Sequence, residues 1–410
     1  MNHSEKHLEQ FVEEIVRSLK PKLEDQALIE CFLLFIHAKQ TKSEFHRVEE
    51  LGEFIKQLKI PLSLSAEPWL IEVWQEFSFK WDRFITMSND FEIGLFLEYV
   101  LKEVRDLAGS NLLRTANFIT PSEMVKLMVS TMANTKMQSI YDPACGSGDL
   151  LMTAGKELKA QNFFGETQSE MNLRMARLFG LIYKSQQPSA KVNFSDRPFD
   201  NKSYDAIISN PPFGLTIKDF SPIGKFNSEF KSGKSEVLFL NHILDSMSEN
   251  GVASVILPLN ALFGKGLMEK VRRRIIDDNL LEAVIQLPSK VFYNSNVSTV
   301  IFLLKKQKET EDILLIDLSK DFRKGKKRYE VKSEAIEKAI IAVQSFRNGN
   351  KEEKAMVVSP KMVIEKDYNL SLNLYQNSNS KDLPKFRSSE DLLEECKAIE
   401  RRIGELQKRF

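Results

Sequence analysis

The sequence predicts an α/β protein: a mostly parallel sheet flanked by helices, with an all-helical region in front of it and a helix behind. Three observations predict this. Apolar residues before about residue 110 recur only at helical spacing, short β-rich runs alternate with helical ones from residue 138 onward, and the extreme C-terminal stretch returns to a helical stripe.

The helical region extends from Leu8 to about Ser110 through "LEQFVEEIVRSL", "ALIECFLLFIHA" and "IGLFLEYVLKEVRDL", punctuated by Pro21, Pro61 and Pro68. "TPSEMVKLMVSTM" then predicts a helix with Thr120 as its N-cap and Pro121 at its first position. After it the period changes to that of strands: "QSIYDPA", "NFFGET", "KVNFSD", "YDAIISN", "GVASVILP", "LEAVIQLP" and "STVIFLLKK". This alternation predicts a seven-stranded, mostly parallel sheet. Only "SKVFYNSNV" separates the last two runs, too short for a helical crossover, so the final strand is expected to be antiparallel. "DILLIDL" is a candidate further strand, "SKDFRKGKKRYEV" is basic, and "NGNKEEK" reads as a solvated loop. Between Ser388 and Phe410, Leu392, Leu393, Cys396, Ile399, Ile403 and Leu406 fall on one helical face. The implied domains are 1–110, 111–375 and 376–410.

At 410 residues the chain is long enough for two or three units and a large core. Lys plus Arg number 58 against 57 Asp plus Glu, which argues against gripping nucleic acid alone through a broad basic face. Any polyanion must meet local patches or a helper subunit. Cys31, Cys145 and Cys396 are odd in number and far apart, as suits free thiols in a reducing compartment. The start "MNHSEKHLEQ" is too polar for a signal peptide, and no apolar run is long enough to span a bilayer. The expectation is a cytoplasmic protein.

Two stretches carry the chemistry. In "SYDAIISNPPFG", residues 203–214, a buried strand ends on two prolines that cannot donate to a ladder, which exposes the amide of Asn210 beside Phe213. Upstream, "SIYDPACGSGDLLMTAGKEL" reads as a strand, a small-residue loop and a helix, where Gly146 and Gly148 allow close backbone approach to a ligand. Glu166 closes the next strand, where a carboxylate can accept both hydroxyls of a ribose, and Asp196 closes the one after. Each acid alone also fits a helix cap. Together, at the carboxyl ends of successive parallel strands, Asp142, Gly146, Glu166, Asp196 and Asn210 are expected to line one crevice.

With "NFITPSEMVKLMV" added, "DPACGSGDLL" and "NPPFG" resemble the signature elements of the methyltransferases that modify adenine N6 in DNA. The resemblance is strongest to the modification subunit of type I restriction-modification systems. It extends to "FEIGLFLEYVLKEV", "ILPLNALFGKG", "EAVIQLPSKVFYNSNVSTVIFLLKK" and "DYNLSLNLY". The resemblance implies a Rossmann-like methyltransferase core that uses S-adenosylmethionine. Thr120, Pro121 and the loop of Asp142, Pro143, Ala144, Gly146 and Gly148 would hold its methionine part, Glu166 its ribose and Asp196 its adenine. It also implies that Asn210, Pro211, Pro212 and Phe213 are catalytic, with a flipped adenine in DNA as substrate. A separate specificity subunit is the implied partner, with a second copy of the chain and a restriction nuclease subunit as further candidates and the C-terminal helix as the docking element.

The residue types suit that chemistry. An adenine amino group is a poor nucleophile because its lone pair is delocalised into the ring; acceptors for both its hydrogens, here the Asn210 side-chain oxygen and the Pro211 carbonyl, localise that pair. Phe213 can stack on a base that has left the duplex. The five histidines are scattered and Cys145 has no neighbour at ligand spacing, so no metal site is expected. "SGKSE", residues 232–236, superficially matches the end of a phosphate loop but lacks its first glycine, with Ser228 in that place. Lys218, Lys225, Lys231 and Lys234, the run Arg272, Arg273 and Arg274, and "FRKGKKR" are candidate phosphate contacts that read equally well as solvated surface. The rival functions are methylation of RNA or of a protein glutamine, and a non-catalytic cofactor-binding scaffold.

Overall fold

The computed structural model describes residues 48–58, 120–132, 137–186, 189–196, 203–218, 232–292, 295–325, 328–350 and 355–376, with helical positions between 10 and 37. The chain divides into two compact units, Met1–Leu370 and Ser371–Phe410. The second is described only near a 3₁₀ turn at Leu372–Leu374, so the expected C-terminal helix lies outside the described residues. Most of the expected helical N-terminal domain does too. What is described there is helical and includes α1 (Val48–Gln57).

Helix α2 (Ser122–Thr131) leads into β1 (Ser139–Asp142), α3 (Asp149–Glu157), β2 (Asn162–Glu166), α4 (Glu170–Gln186), β3 (Lys191–Ser195) and β4 (Tyr204–Ser209). Two short strands, β5 (Thr216–Ile217) and β6 (Gly233–Lys234), pair antiparallel before α5 (Ser235–Ser246). Then follow β7 (Met247–Pro258), α6 (Leu267–Asp277), β8 (Leu281–Gln286), β9 (Thr299–Lys305) and β10 (Ile313–Asp317). A hairpin of β11 (Phe322–Lys324) and β12 (Tyr329–Val331), α7 (Ser333–Arg347), β13 (Met356–Val358) and α8 (Pro360–Glu365) complete the first unit.

Among the described residues the sheet has nine strands, against the seven expected, in the order β13-β10-β8-β9-β7-β4-β1-β2-β3. All seven expected runs are strands, "DILLIDL" is the eighth (β10), and β13 is the ninth. β9 is antiparallel to both its neighbours, as the short connection required, and it inserts between β8 and β7. Its residues Thr299–Leu304 are buried, the signature of a strand covered on both faces. β13 has only three residues, too few to show a period, and caps the edge of β10 in antiparallel register.

Strand order reverses between β1 and β4: β2 and β3 lie on one side of β1, while β4 and β7 lie on the other. At such a switch point the loops after the two central strands diverge and leave a crevice at the carboxyl edge. The register pairs Tyr141 with Ile207, so the ends of β1 and β4 lie side by side.

Of the arginine run, Arg272 is turned away from solvent, while Arg273 and Arg274 are partly exposed and ion-paired. Arg272 is 1% exposed and donates to the carbonyls of Tyr368 (2.6 Å), Ala261 (3.1 Å) and Gly264 (3.0 Å). Arg273 pairs with Glu269 and Asp367 and covers the Tyr368 ring, and Arg274 pairs with Asp245. The reason is local: Arg272 falls on the helix face that buries Met268, Val271, Ile275 and Ile276, and buried carbonyls satisfy it. Likewise, within "FRKGKKR", Phe322–Lys324 form β11, Arg328 is buried against Glu123 of α2 and Arg323 pairs with Glu330. Replacing Arg272 with Met should cost about 2–4 kcal/mol, because three buried carbonyls lose their donor. Arg273→Ala should leave the thermal midpoint close to wild type. Equal midpoints for the two variants would contradict this.

Candidate functional site

The loop after β1 is shaped by one carboxylate and two glycines. Asp142 is 1% exposed and accepts from the Ala144 N–H (2.9 Å) and from the Ser209 hydroxyl (2.7 Å). One bond turns the loop and the other joins it to the end of β4. Burial pushes the Asp142 carboxyl up to about 7, against the pull of its hydrogen bonds to Ser209 and Ala144. Gly146 and Gly148 both adopt positive φ, and Gly148 (φ +85°) turns the chain directly into α3. No side chain caps that helix, so its first N–H groups face the loop. The Cys145 N–H donates to the Glu166 carbonyl (2.9 Å), which ties the loop to the end of β2. A Cβ at Gly165 would lie 2.7 Å from the Phe194 ring and 2.9 Å from Cys145 Sγ, so only glycine permits this approach. Burial raises the Cys145 thiol well above its usual range, which makes it an inert filler.

Glu166 is also buried, and its carboxylate accepts from the Tyr141 hydroxyl (2.7 Å). That hydroxyl is 2.9 Å from His242 Nε2 on α5, and its ring stacks on Tyr204. Burial holds His242 down to about 4, so the imidazole is neutral, while burial and the neighbouring Glu166 push the Tyr141 hydroxyl up.

After β4, Asn210 is half-buried and its amide nitrogen donates to Thr120 Oγ1 (3.2 Å). This corrects the expected role of Thr120. Pro121, with ψ 144°, occupies the cap position and Ser122 begins the helix, while the Pro121 carbonyl already receives the N–H groups of Met124 and Val125. The Thr120 hydroxyl is turned to Asn210 instead. The loop after β4 is held by residues that sequence reasoning missed: Ser235 Oγ donates to the Pro212 carbonyl (2.7 Å), and Glu236 accepts the Gly214 N–H (2.8 Å). They lie inside "SGKSE", whose likeness to a phosphate loop hid them. Lys234 donates to the Gly214 carbonyl and to Thr216 Oγ1 in β5, which makes it a tie within the loop. Lys225 and Lys231 lie outside the described residues, and Lys218 follows β5.

Of the expected site residues, the hydrogen bonds join Thr120 to Asn210 and Asp142 to Ala144, and link Glu166 to the glycine loop through the Cys145 backbone. Pro121, Pro143, Gly146, Gly148 and Pro211 to Phe213 belong to the same loops, with Phe213 packed at the margin of the core. Asp196 is exposed one residue past β3 and takes no part in this set. Among the described residues no group of three or more His, Cys, Asp or Glu side chains could hold a metal ion, and no helix is long and apolar enough to cross a membrane.

A sequence profile of the N-6 DNA methylase family matches residues 90–382. The chain belongs to the N-6 DNA methylase family. Among relatives in that family, it is 25% identical over 332 residues to the MpnII type I restriction enzyme methylase subunit of Mycoplasma pneumoniae, covering 73% of this chain and 59% of that protein. It is 26% identical over 352 residues to the EcoEI methylase subunit of Escherichia coli, covering 78% and 69%. The chain thus spans less than two thirds of the Mycoplasma relative's length. The crystal structure of a type I restriction-modification methyltransferase subunit from Streptococcus thermophilus superposes with a TM-score of 0.62 at 20% identity, covering 90% of this chain and 99% of that one. The N-6 DNA methylase chain therefore has the Rossmann-like methyltransferase fold.

The Asp142 carboxyl makes stability depend on pH. Folded, it holds its proton to about pH 7; unfolded, it releases it near 3.8, so the folded state binds more protons between these values and loses stability as pH rises through them. Asn at this position still accepts the Ala144 N–H and the Ser209 hydroxyl. Asp142→Asn should therefore gain thermal midpoint over wild type as pH rises from about 4 to about 7, then hold level. A difference independent of pH would contradict the assignment.

Proposed function

We propose that this chain transfers a methyl group from S-adenosylmethionine to the N6 amino group of adenine in DNA, as the modification subunit of a type I restriction-modification assembly. The observation that carries the reading is the Asn210–Thr120 hydrogen bond. Thr120 engages the amide nitrogen, so the amide oxygen is presented as an acceptor at the end of β4. The Pro211 carbonyl is the second acceptor, and Pro211 and Pro212 stiffen the backbone that carries both. Together they draw on the two amino hydrogens of a base stacked against Phe213, which localises the nitrogen lone pair.

The residues across the crevice fit S-adenosylmethionine. Gly146 and Gly148 form a bare backbone cradle, the uncapped start of α3 suits a carboxylate, and Asp142 and Glu166 supply acceptors for an ammonium group and ribose hydroxyls. When bound, this cofactor supplies a methyl group already activated on a sulfonium, so no protein nucleophile is required. In this reading Asp196, at the next strand end, receives the adenine amino group of the cofactor.

A near-zero net charge supports a second polypeptide that chooses the DNA sequence. Relatives named as type I methylase subunits support a specificity subunit as that partner, with residues 376–410 as the docking element. A second copy of the chain and a nuclease subunit complete the proposed assembly, and its setting is the cytoplasm.

Asn210→Ala should lower methyl transfer by about 10²-fold or more, as loss of a transition-state hydrogen bond does, with cofactor affinity within about twofold of wild type. Tritiated methyl transfer to DNA beside calorimetric titration of the cofactor measures both. Normal turnover in the variant would remove Asn210 from the mechanism.

A further inference from the structure

Helix α5 makes contact with both halves of the site. At its first turn, the Ser235 N–H donates to the Leu215 carbonyl (2.9 Å), Ser235 Oγ to the Pro212 carbonyl (2.7 Å), and Glu236 accepts the Gly214 N–H (2.8 Å). This matters because of what precedes it in the chain. Pro211 and Pro212 have no N–H, so the acceptor loop cannot be fixed by a ladder of its own and must be held from outside. Ser235 and Glu236 are both buried, and a buried carboxylate is costly unless its bonds do something the fold or the chemistry requires.

About 9 Å further along the same rigid rod, at 1.5 Å per residue, α5 carries His242. A neutral imidazole has one N–H, and the Tyr141 hydroxyl has one proton, which it gives to the Glu166 carboxylate at 2.7 Å. The chain of donation is therefore His242 Nε2–H to Tyr141 Oη, and Tyr141 O–H to Glu166 Oε1. Such a chain fixes the orientation of the carboxylate, and each bond polarises the next.

We propose that α5 sets the spacing between the two substrates: Ser235 and Glu236 are positioning residues for the Asn210–Gly214 loop, and His242, through Tyr141, is the positioning residue for Glu166. This deepens the reading above and rests on it for the identity of the substrates. It makes the two ends of one helix separable by kinetics. The His242 end should control cofactor binding, and the Ser235 end should control the chemical step.

The test uses the full chain with its specificity partner, S-adenosylmethionine as the titrated probe, and thermal midpoints for every variant. Tyr141→Phe and His242→Leu should weaken cofactor binding about 5- to 30-fold by calorimetry, with kcat at saturating cofactor changing far less. His242→Gln, which keeps an N–H donor near the same place, should recover most of the affinity. Ser235→Ala and Glu236→Ala should leave the cofactor Kd within about twofold and lower kcat about 10- to 100-fold, with Glu236→Gln recovering activity because its amide oxygen can still accept. Both pairs shifting the same parameter, or changes that only track loss of thermal stability, would overturn the proposal. Asn210→Ala, run alongside, separates the two claims: normal turnover in it sinks the functional reading, whereas failure of the two pairs to separate sinks this one.

Discussion

Asp142 places a buried carboxylate beside the switch point of the sheet, accepting the Ala144 N–H from the loop after β1 and the Ser209 hydroxyl from the last residue of β4. The residue after Ser209 is Asn210, so the bond that shapes the glycine loop also sets where the acceptor amide begins. A charged group buried here opposes stability, since desolvation pushes its proton affinity up against the pull of both hydrogen bonds. What the two bonds provide is a fixed spacing between the glycine loop and the end of β4.

The same pattern recurs around the crevice. Glu166 and Glu236 are buried as well, each bonded to a neutral donor, Tyr141 in one case and the Gly214 backbone in the other. These hydrogen bonds give the two carboxylates a direction, which suits positioning. By contrast, the buried Arg272 and the buried pairs Arg328–Glu123 and Arg347–Glu282 belong to the scaffold. Arg328 braces the β11–β12 turn on α2, the helix that begins just after Thr120, and Arg347 also donates to the last carbonyls of α2. The scaffold thus holds Thr120 where Asn210 needs it.

The strands and the glycine turn were legible because they rest on local signals, whereas Asp196, expected beside them, stands exposed past β3. Seven β-rich runs alternating with helical ones, two glycines in one turn and a strand cut off by two prolines need no tertiary information. What was not legible depended on long-range contacts. Nothing in "TPSEM" distinguishes a capping threonine from one that turns 90 residues along the chain to meet an amide. Tyr141 and His242 read as a strand residue and a scattered histidine until α5 brings the imidazole to the end of β1. Ser235 and Glu236 were concealed by a stronger but irrelevant likeness. Neither reading of the arginine run, phosphate contact or solvated surface, foresaw the buried Arg272: composition reports charge, whereas whether a guanidinium meets solvent or carbonyls depends on the turn of α6. β13 was too short to show a period at all.

The central claim is that Asn210 serves adenine in DNA, and the most direct measurement is a context-resolved map of N6-methyladenine in DNA from cells expressing the chain with a candidate specificity subunit, beside cells expressing that subunit alone. The account predicts methylation at one defined sequence motif, present only when this chain is present. An absence of adenine methylation in both, together with a methyl mark on RNA or on a protein glutamine, would contradict it.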